Sequence, residues 1–336
     1  MRTIFWDDGI WLLDQTKLPE REDLLKCKKV EELVDAIKKL AIRGAPALEA
    51  AGAYGVALAC FERDFKNPEE MKNYIKARAE IIANARPTAV NLAVGVQRVL
   101  EKALNGRSVE EIRKISLEEV EKIASEDIER NRKIGKHGAK LLNDGDSVLT
   151  YCNTGRLATV DWGTALGIIR SAIEEGKKIK VFACETRPLN QGSRLTCYEL
   201  MKDGIEVTLI TDSAAGIVMR KGMVNKVIVG ADRIVRDGVF NKIGTYSVAI
   251  IANYHQIPFY VAAPKSTFDL KKSSDEVVIE ERGREELIYC GNKLLAPKDV
   301  KVYNPAFDFT PLNLVSAIVT EEGILFPPYK IFDQKA

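Results

Sequence analysis

From residue 147 onwards, short apolar runs alternate with segments of helical periodicity, and this alternation narrows the possible folds more than any other feature. The runs read SVLTYC, IKVFACE, VTLIT, KVIVGAD, FYVAAP and KVYNPAFD. Runs this short that are apolar on both faces are typical of parallel strands buried between two layers of helices. The repeated strand–helix order therefore predicts a doubly wound α/β sheet in this half of the chain.

The first half of the chain has mostly helical periodicity instead. Residues 3–16 predict a β-hairpin that turns at Asp7-Asp8-Gly9. Behind it, apolar residues recur at helical spacing in the stretches 45–64, 68–84, 88–104 and 116–142. We therefore expect two domains, a mostly helical one over residues 1–115 and an α/β one over residues 116–336. The long helix that starts at residue 116 would link them.

The composition argues against several classes of protein. The 336 residues are 46% apolar and 29% charged with a net charge of +2, so we expect neither nucleic acid nor an anionic membrane as a partner. No apolar run approaches the roughly 18 residues that a bilayer span needs. The N-terminal stretch MRTIFWDDGIWLLDQ carries acids where a signal peptide would be apolar. These features favour a cytoplasmic protein.

The sequence offers little for a metal or a nucleotide cofactor. It has two histidines and, among its six cysteines, no C-x-x-C pair, which argues against a zinc or thioredoxin-type site. It contains neither a Walker loop nor a G-x-G-x-x-G fingerprint. We therefore expect no metal and no cofactor. The spacing of Cys184 and Cys197 leaves a disulfide between them open.

Polar and reactive side chains follow the apolar runs, at the strand ends where ligands of such sheets bind. They are Cys152-Asn153, Glu185-Thr186-Arg187, Thr211-Asp212-Ser213, Asp232-Arg233, Pro264-Lys265-Ser266 and Asp308. A lone free cysteine is most often a small apolar residue of the core. At the same sheet edge as Asp232 and Glu185, however, Cys152 is better explained as a functional thiol.

Two helix starts in the first half could bind an anion. IRGAPALEAAGAYG at residues 42–55 and NARPTAVNLAVG at residues 84–95 each have an arginine, followed by a proline where a helix of small residues begins. The N–H groups of a helix N-terminus and the planar donors of Arg43 and Arg86 attract phosphate, and Gly44 lets a ligand approach the backbone. Arginines beside ordinary helix caps explain the same spacing equally well. Three polar residues near later helix starts could assist: Gln191, Asn241 and Lys242.

Seven segments, in this order and spacing, are similar to those of the methylthioribose-1-phosphate isomerase family. They are IRGAPALE, RPTAVNL, LTYCNTG, ACETRPLNQGSRLT, TLITDSAAGIVM, VIVGADRI and NKIGTYSVAI. The resemblance extends over nearly the whole chain, to NPAFDFTP at residues 304–311. It implies a helical N-terminal domain, a Rossmann-like C-terminal domain, a homodimer, and an aldose–ketose isomerase of methionine salvage.

The same resemblance implies roles for individual residues. The catalytic pair of the family falls on Cys152 and Asp232. Its substrate contacts fall on Arg43, Gly44, Ala45, Arg86, Gln191, Asn241 and Lys242. Tyr151 departs from the family, in which histidine is common before the cysteine. Because neighbours on a strand face opposite sides, we expect Tyr151 to point away from Cys152.

Two related families supply the alternative functions. Regulatory subunits of the translation-initiation guanine-nucleotide exchange factor generally lack the catalytic pair, so the presence of Cys152 and Asp232 favours an enzyme. Ribose-1,5-bisphosphate isomerase resembles this sequence at both positions and is separated only by its substrate.

A second phosphate would require several more donors, and beyond Lys265 and Arg187 no basic cluster lies near a strand end. The aromatic hairpin residues Phe5, Trp6 and Trp11 could instead cover an apolar methylthio group. The sequence therefore favours methylthioribose 1-phosphate as the substrate.

The implied substrate is a furanose with a phosphate on its anomeric carbon, so its ring cannot open as a free hemiacetal does. Asp232 is the candidate acid for the ring oxygen, and it has to be protonated although an ordinary aspartic acid ionises near pH about 3.9. Burial would raise its pKa, provided that Arg233 faces elsewhere. Cys152 could shuttle a proton between C2 and C1 or stabilise a direct hydride shift. The sequence leaves both routes open.

Overall fold

The structure is a computed structural model that describes residues 2–87 and 89–329, and its contacts divide the chain into two compact units. The first unit contains the residues up to Arg132 together with Thr154–Gly167. The second contains Lys133–Asn153 and the residues from Ile168 onwards. No helix in the described ranges is long and apolar enough to cross a membrane.

The first unit begins with a small antiparallel sheet. Its strands are β1 (Ile4–Trp6), β2 (Ile10–Leu13) and β3 (Leu24–Cys27), in that order across the sheet. The first two form the predicted hairpin, with Phe5 opposite Trp11. No pattern in the sequence indicated β3, because its four residues lie in a charged stretch and three of them are half-buried or exposed.

Five helices follow: α1 (Val30–Lys38), α2 (Ala45–Ala59), α3 (Pro68–Ala83), α4 (Val90–Ala103) and α5 (Val109–Gly138). The start of α3 has the predicted form, since the Asn67 side chain accepts the Glu70 N–H at 2.9 Å and Pro68 opens the first turn. Helix α5 starts earlier than predicted, because Ser108 caps it by accepting the Glu111 N–H at 3.1 Å. The domain boundary at residue 115 stays a prediction, and that position lies inside α5.

Two glycines allow α2 and α4 to pack with their backbones close together. A Cβ added at Gly52 would collide with the Leu92 carbonyl oxygen, and one added at Gly95 would collide with the Glu49 carbonyl oxygen. The same helix pair is otherwise filled by small and branched apolar side chains of the first core. Glycine is therefore required at both positions by the distance between the helices.

We expect Gly95→Ala to destabilise the protein by about 1–3 kcal/mol, because the added methyl group meets backbone that cannot rotate away. Gly216→Ala is the matched control, since this glycine also lies in a helix but the nearest atom to its added Cβ is a methyl carbon of Ile251 at 3.9 Å. That change should stabilise by about 0.5–1 kcal/mol. Urea unfolding followed by circular dichroism gives both values, and equal stability of the two variants would contradict this packing.

The second unit contains strands β4 (Ser147–Thr150), β5 (Lys180–Cys184), β6 (Val207–Ile210), β7 (Lys226–Val229), β8 (Arg233–Val235), β9 (Gly238–Lys242), β10 (Phe259–Ala262), β11 (Tyr289–Cys290), β12 (Lys293–Leu294), β13 (Phe307–Pro311), β14 (Ala317–Thr320) and β15 (Gly323–Leu325). Its helices are α6 (Ala165–Glu174), whose first turn belongs to the first unit, α7 (Cys197–Lys202), α8 (Ala215–Arg220), α9 (Thr245–Tyr254) and α10 (Glu285–Ile288).

Among the described residues, seven strands form the main sheet in the order β15-β14-β10-β7-β4-β5-β6. All neighbours pair in parallel except β14 and β15. The strands β4, β7, β10 and β14 are almost wholly buried, as apolar runs between two helix layers should be. The predicted α/β fold class, with a helical first part and a mostly parallel sheet in the second, is confirmed.

The prediction for KVYNPAFD was wrong in part. Residues 301–304 form no strand, and β13 pairs antiparallel with β9 in a separate sheet that also contains β8. The reason is burial, since β13 is mostly half-exposed whereas the central strands of the main sheet are buried on both faces. Strands β14 and β15, which the sequence analysis did not identify, complete the main sheet instead.

Candidate active site

Three neighbouring strands of the main sheet end beside the residues that the sequence analysis singled out. Strand β4 lies between β5 and β7, with Leu149 opposite both Phe182 and Val227. Because all three strands are parallel, the segments that follow them leave the same edge of the sheet. Cys152 follows β4, and Asp232 follows β7.

Cys152 has an unusual backbone conformation. Its φ is 64°, in the left-handed region that residues with a side chain seldom adopt, and 7% of its surface is exposed. A non-glycine residue in this region costs of order 1–3 kcal/mol and persists only where its surroundings hold it. The turn directs the chain away from the sheet directly after the strand.

Two threonine hydroxyls hold this turn. The Thr186 Oγ1 accepts the Cys152 N–H at 2.9 Å, and the Thr196 Oγ1 donates to the Cys152 carbonyl oxygen at 2.7 Å. Thr186 is itself left-handed, with a φ of 65°, and its N–H and that of Arg187 each donate to the Asp212 carboxylate at 2.7 Å. The segments after β4, β5 and β6 are thus connected by hydrogen bonds.

Asn153 joins a buried ionic network. Its Nδ2 donates to Thr196 Oγ1 at 3.3 Å and to Glu199 Oε1 at 3.0 Å, and Glu199 forms a 2.8 Å ion pair with Arg170. Arg170 also pairs with Asp203 at 2.6 Å. Because Arg170 and Glu199 are 4% and 2% exposed, each needs the other to remain charged in the interior.

Tyr151 is buried in the core of the second unit, in the same cluster of side chains as Cys152. Its phenol lies so close to the start of α9 that a Cβ added at Gly244 would collide with the Tyr151 hydroxyl. Burial, reinforced by the neighbouring Asp212 carboxylate, raises the pKa of Tyr151 far above its ordinary value, so the phenol stays neutral. The residue where this sequence departs from the isomerase pattern therefore contributes packing.

Asp232 is half-buried in the short connection between β7 and β8. Its N–H donates to the Phe240 carbonyl oxygen at 2.9 Å, which fixes the backbone against β9. The neighbouring guanidinium of Arg233 forms an ion pair with Asp269 at 3.6 Å. Arg233 thus has an acidic partner other than Asp232, and the expectation that it faces away from Asp232 stays a prediction.

Gln191 is buried, with 6% of its surface exposed, at the start of a π-helical turn over Gly192–Thr196. Its Oε1 is buried and has no hydrogen-bond partner among the described residues. Buried side-chain amides are normally paired, so this oxygen is a candidate acceptor for a ligand. The turn can form because Gly192 has no Cβ to collide with the Cys184 carbonyl oxygen.

Asn241 and Lys242 end strand β9 rather than opening the helix, which begins at Thr245. Both are buried. Asn241 Nδ2 donates to Thr245 Oγ1 at 3.0 Å. Lys242 Nζ donates to the Ala306 carbonyl oxygen at 2.9 Å and lies 4.7 Å from the centre of the Phe307 ring. The Asp308 carboxylate is close enough for Lys242 to lower its pKa, so the buried ammonium and this acid belong to one polar cluster at the end of β9.

Asp308 lies directly opposite Asn241 in the β9–β13 register. Its carboxylate caps helix α9 by accepting the N–H of Gly244 at 2.6 Å and that of Tyr246 at 3.2 Å. Burial raises the pKa of Asp308 to about 6, although the two backbone donors and Lys242 act in the opposite direction.

Because this pKa lies above that of an unfolded aspartic acid, about 3.9, the native protein binds more protons than the unfolded chain between about pH 4 and pH 6. The free energy of unfolding should therefore fall as the pH rises through this window, by up to about 2–3 kcal/mol from Asp308. Asp308→Asn removes this titration, so the difference in unfolding free energy between the two proteins should change with pH only there. A difference that is constant from pH 4 to pH 7 would contradict the assignment.

The remaining candidates lie in the first unit. Arg43 is half-buried and precedes α2, whose first residue is Ala45. Gly44 has a φ of 98°, and a Cβ there would collide with the backbone of Ala158. The sequence predicts that Gly44 lets a ligand approach the backbone, but the close contact with Ala158 in the same unit already requires a glycine here.

Arg86 is also half-buried, between α3 and α4. The prediction that Pro87 opens the following helix was wrong, since α4 begins at Val90 with Ala89 before it. The structure thus keeps Arg86 near a helix start but separates it from the first turn. Thr88 lies outside the described residues.

All six cysteines are free thiols, so Cys184 and Cys197 form no disulfide. The described part of the chain contains no cluster of three or more histidine, cysteine, aspartate or glutamate residues that could hold a metal ion. Sequence reasoning missed the roles of Thr186, Thr196 and Glu199. Thr186 was among the polar residues expected at a strand end, whereas Thr196 was indicated only by the segment ACETRPLNQGSRLT as part of the resemblance.

Residues 41–327 match the Initiation factor 2 subunit family. The chain belongs to this family of α/β proteins. It is 52% identical to the methylthioribose-1-phosphate isomerase of Thermosipho africanus, over 98% of this chain and 96% of the relative. The resemblance stated from the seven sequence segments is therefore confirmed.

Two solved structures are similar over almost their whole length. The 5-methylthioribose 1-phosphate isomerase of Pyrococcus horikoshii is 41% identical, with a TM-score of 0.92 over 98% of this chain and 94% of that chain. A chain from Archaeoglobus fulgidus described as translation initiation factor eIF-2B, subunit delta, is 67% identical, also with a TM-score of 0.92, over 98% and 97%. Isomerases and initiation-factor subunits thus share this fold.

Proposed function

We infer that this protein is an aldose–ketose isomerase that converts 5-methylthioribose 1-phosphate to 5-methylthioribulose 1-phosphate in methionine salvage. The observation that carries the inference is the full-length identity of 52% to a named isomerase. It is supported by a strand-end thiol that the fold holds in a costly conformation. A subunit that acts only as a binding protein would have no need to hold a thiol in this way.

In the proposed site, Cys152 and Asp232 are the catalytic residues. Asp232 protonates the ring oxygen, which opens the phosphorylated furanose, and Cys152 acts at the C1–C2 bond. The N–H groups and the amide that follow Cys152 stabilise the negative charge that develops on the open-chain sugar. Hydrogen then moves from C2 to C1, either as a proton through the thiol or as a hydride, and both routes need the sulfur beside that bond.

The proposed substrate contacts are Arg43, Gly44, Ala45, Arg86, Gln191, Asn241 and Lys242. In the second unit, the unpaired Gln191 oxygen would accept a sugar hydroxyl, and the buried Lys242 ammonium would attract the phosphate. In the first unit, the arginines offer planar donors for phosphate, and α2 supplies the N–H groups of its first turn.

The reaction needs no cofactor, because acid–base groups alone can open the ring and move the hydrogen. We also propose that the protein is cytoplasmic and forms a homodimer, as the resemblance implies. The hairpin aromatics remain a proposed cover for the methylthio group. Within their own unit Phe5 stacks on Trp11 with ring centres 6.5 Å apart, and Trp6 packs against Phe61 at 5.1 Å.

Replacing either catalytic residue should abolish turnover and leave the fold intact. We expect Cys152→Ser and Asp232→Asn each to lower kcat by about 10²–10⁴-fold, the usual contribution of a positioned acid or base. Matched controls are Cys290→Ser and Asp275→Asn, which make the same changes at exposed positions and should retain full activity. More than about a tenth of the native rate in either catalytic variant would exclude that residue from the chemistry.

Substrate identity is tested by assaying the purified protein with 5-methylthioribose 1-phosphate and ribose 1,5-bisphosphate side by side. We expect the methylthio sugar to have the higher kcat/KM, because burying a second phosphate without partners is costly. The Cys152→Ser protein, prepared identically, excludes a contaminating isomerase.

A higher kcat/KM for the bisphosphate would reassign the substrate and leave the catalytic pair in place. Turnover of neither sugar would instead favour the role of the initiation-factor subunit described for the Archaeoglobus fulgidus chain.

A further inference from the structure

Beyond the catalytic pair, we propose that Thr186 and Thr196 are positioning residues, whose hydroxyls hold Cys152 in its left-handed turn and so aim the thiol. The proposal rests on the proposed function only in so far as Cys152 is the residue that reacts. Both threonines lie in the second unit, where Thr186 follows β5 and Thr196 precedes α7. Along the chain they are 34 and 44 residues away from the cysteine.

The two hydroxyls form hydrogen bonds with the two backbone groups of the same residue, Cys152. Thr186 is fully buried, and its Oγ1 accepts the Cys152 N–H while donating to the Cys184 carbonyl oxygen at 3.1 Å. Thr196 is also fully buried, and its Oγ1 donates to the Cys152 carbonyl oxygen while accepting from Asn153. Each hydroxyl therefore uses both its hydrogen and a lone pair, and neither is free to rotate.

The direction of these hydrogen bonds is set by a buried charge pair. Arg170 can only donate, so Glu199 must accept from it, and the second Glu199 oxygen accepts from Asn153 Nδ2. The other Nδ2 hydrogen then points to Thr196, which leaves the Thr196 hydrogen for the Cys152 carbonyl oxygen. A chain of fixed polarity thus runs from the ion pair to the backbone of the cysteine.

The backbone turn at Cys152 is strained, so these hydrogen bonds are needed to keep a catalytic thiol in place. Because its φ is 64°, Cys152 would relax to a more common conformation if either hydrogen bond were lost, and its sulfur would move relative to the reacting carbons. A displacement of about 1 Å at a reacting group costs up to about 10²-fold in rate. Substrate binding uses other residues, so the loss should appear in kcat.

The test replaces each threonine by valine, which keeps the branched shape and removes the hydroxyl. We expect Thr186→Val and Thr196→Val to lower kcat for 5-methylthioribose 1-phosphate by about 10- to 100-fold with little change in KM. Thr186→Ser and Thr196→Ser, which keep the hydroxyl, should recover most of the rate. Thr310→Val is the matched control, because the Thr310 hydroxyl is equally buried but has no hydrogen-bond partner in the part of the chain that the structure describes.

A second readout does not depend on turnover. Alkylation of Cys152 by iodoacetamide, quantified on its peptide by mass spectrometry, should accelerate about two- to ten-fold in the valine variants, the ratio that corresponds to one neutral hydrogen bond. It should stay at the native rate in the serine variants and in Thr310→Val. If Cys152 proved dispensable for turnover, the alkylation rates alone would still report on the turn.

Native alkylation rates and native kcat in both folded valine variants would overturn the proposal. Equal losses of kcat in the valine and serine variants would also overturn it, because the hydroxyl would then not be the group that matters. If Thr196→Val does not fold, Thr186→Val and the two serine variants provide the same comparison at the hydrogen bond between Thr186 and the Cys152 N–H.

Discussion

The backbone turn at Cys152 is the constraint on which the rest of the site depends. Strand β4 is central in the main sheet and buried along most of its length, so its end is fixed by pairing on both sides. One residue beyond Tyr151 the chain adopts a left-handed conformation that cysteine does not favour. Such strain persists only when neighbouring structure compensates for it, and here two buried hydroxyls and a buried ion pair do so.

The surrounding elements are arranged to supply that compensation. The end of β5 provides Thr186 in a second left-handed turn, which Asp212 after β6 stabilises through two backbone N–H groups. The π-helical turn before α7 provides Thr196, and the Gln191 oxygen at its start has no partner within residues 2–87 and 89–329. Polar groups that a core would normally avoid are therefore concentrated at one edge of one sheet, where ligands of parallel sheets bind.

Much of this was predictable from the sequence, and the exceptions have physical causes. The period of apolar residues identified the central strands and the long helices, because burial on both faces leaves a clear signal. It failed for β3 and for part of β13, which are short and partly exposed. It also missed the buried strand β14, because four apolar residues are too few to separate a strand from a helix segment by their period. The strand-end position of Cys152 was predictable, but its hydrogen bonds to Thr186 and Thr196 join residues far apart in the chain. No local pattern encodes such pairs.

We propose that the strained turn places Cys152 opposite Asp232 at the reacting bond of a sugar phosphate. A crystal structure of the Cys152→Ser variant with 5-methylthioribose 1-phosphate tests this most directly, because the bound sugar should remain unconverted. We expect C1 and C2 within about 3.5 Å of the hydroxyl at position 152, and the ring oxygen within about 3.2 Å of the Asp232 carboxyl group. A sugar bound with its ring beyond the reach of both residues would contradict the account.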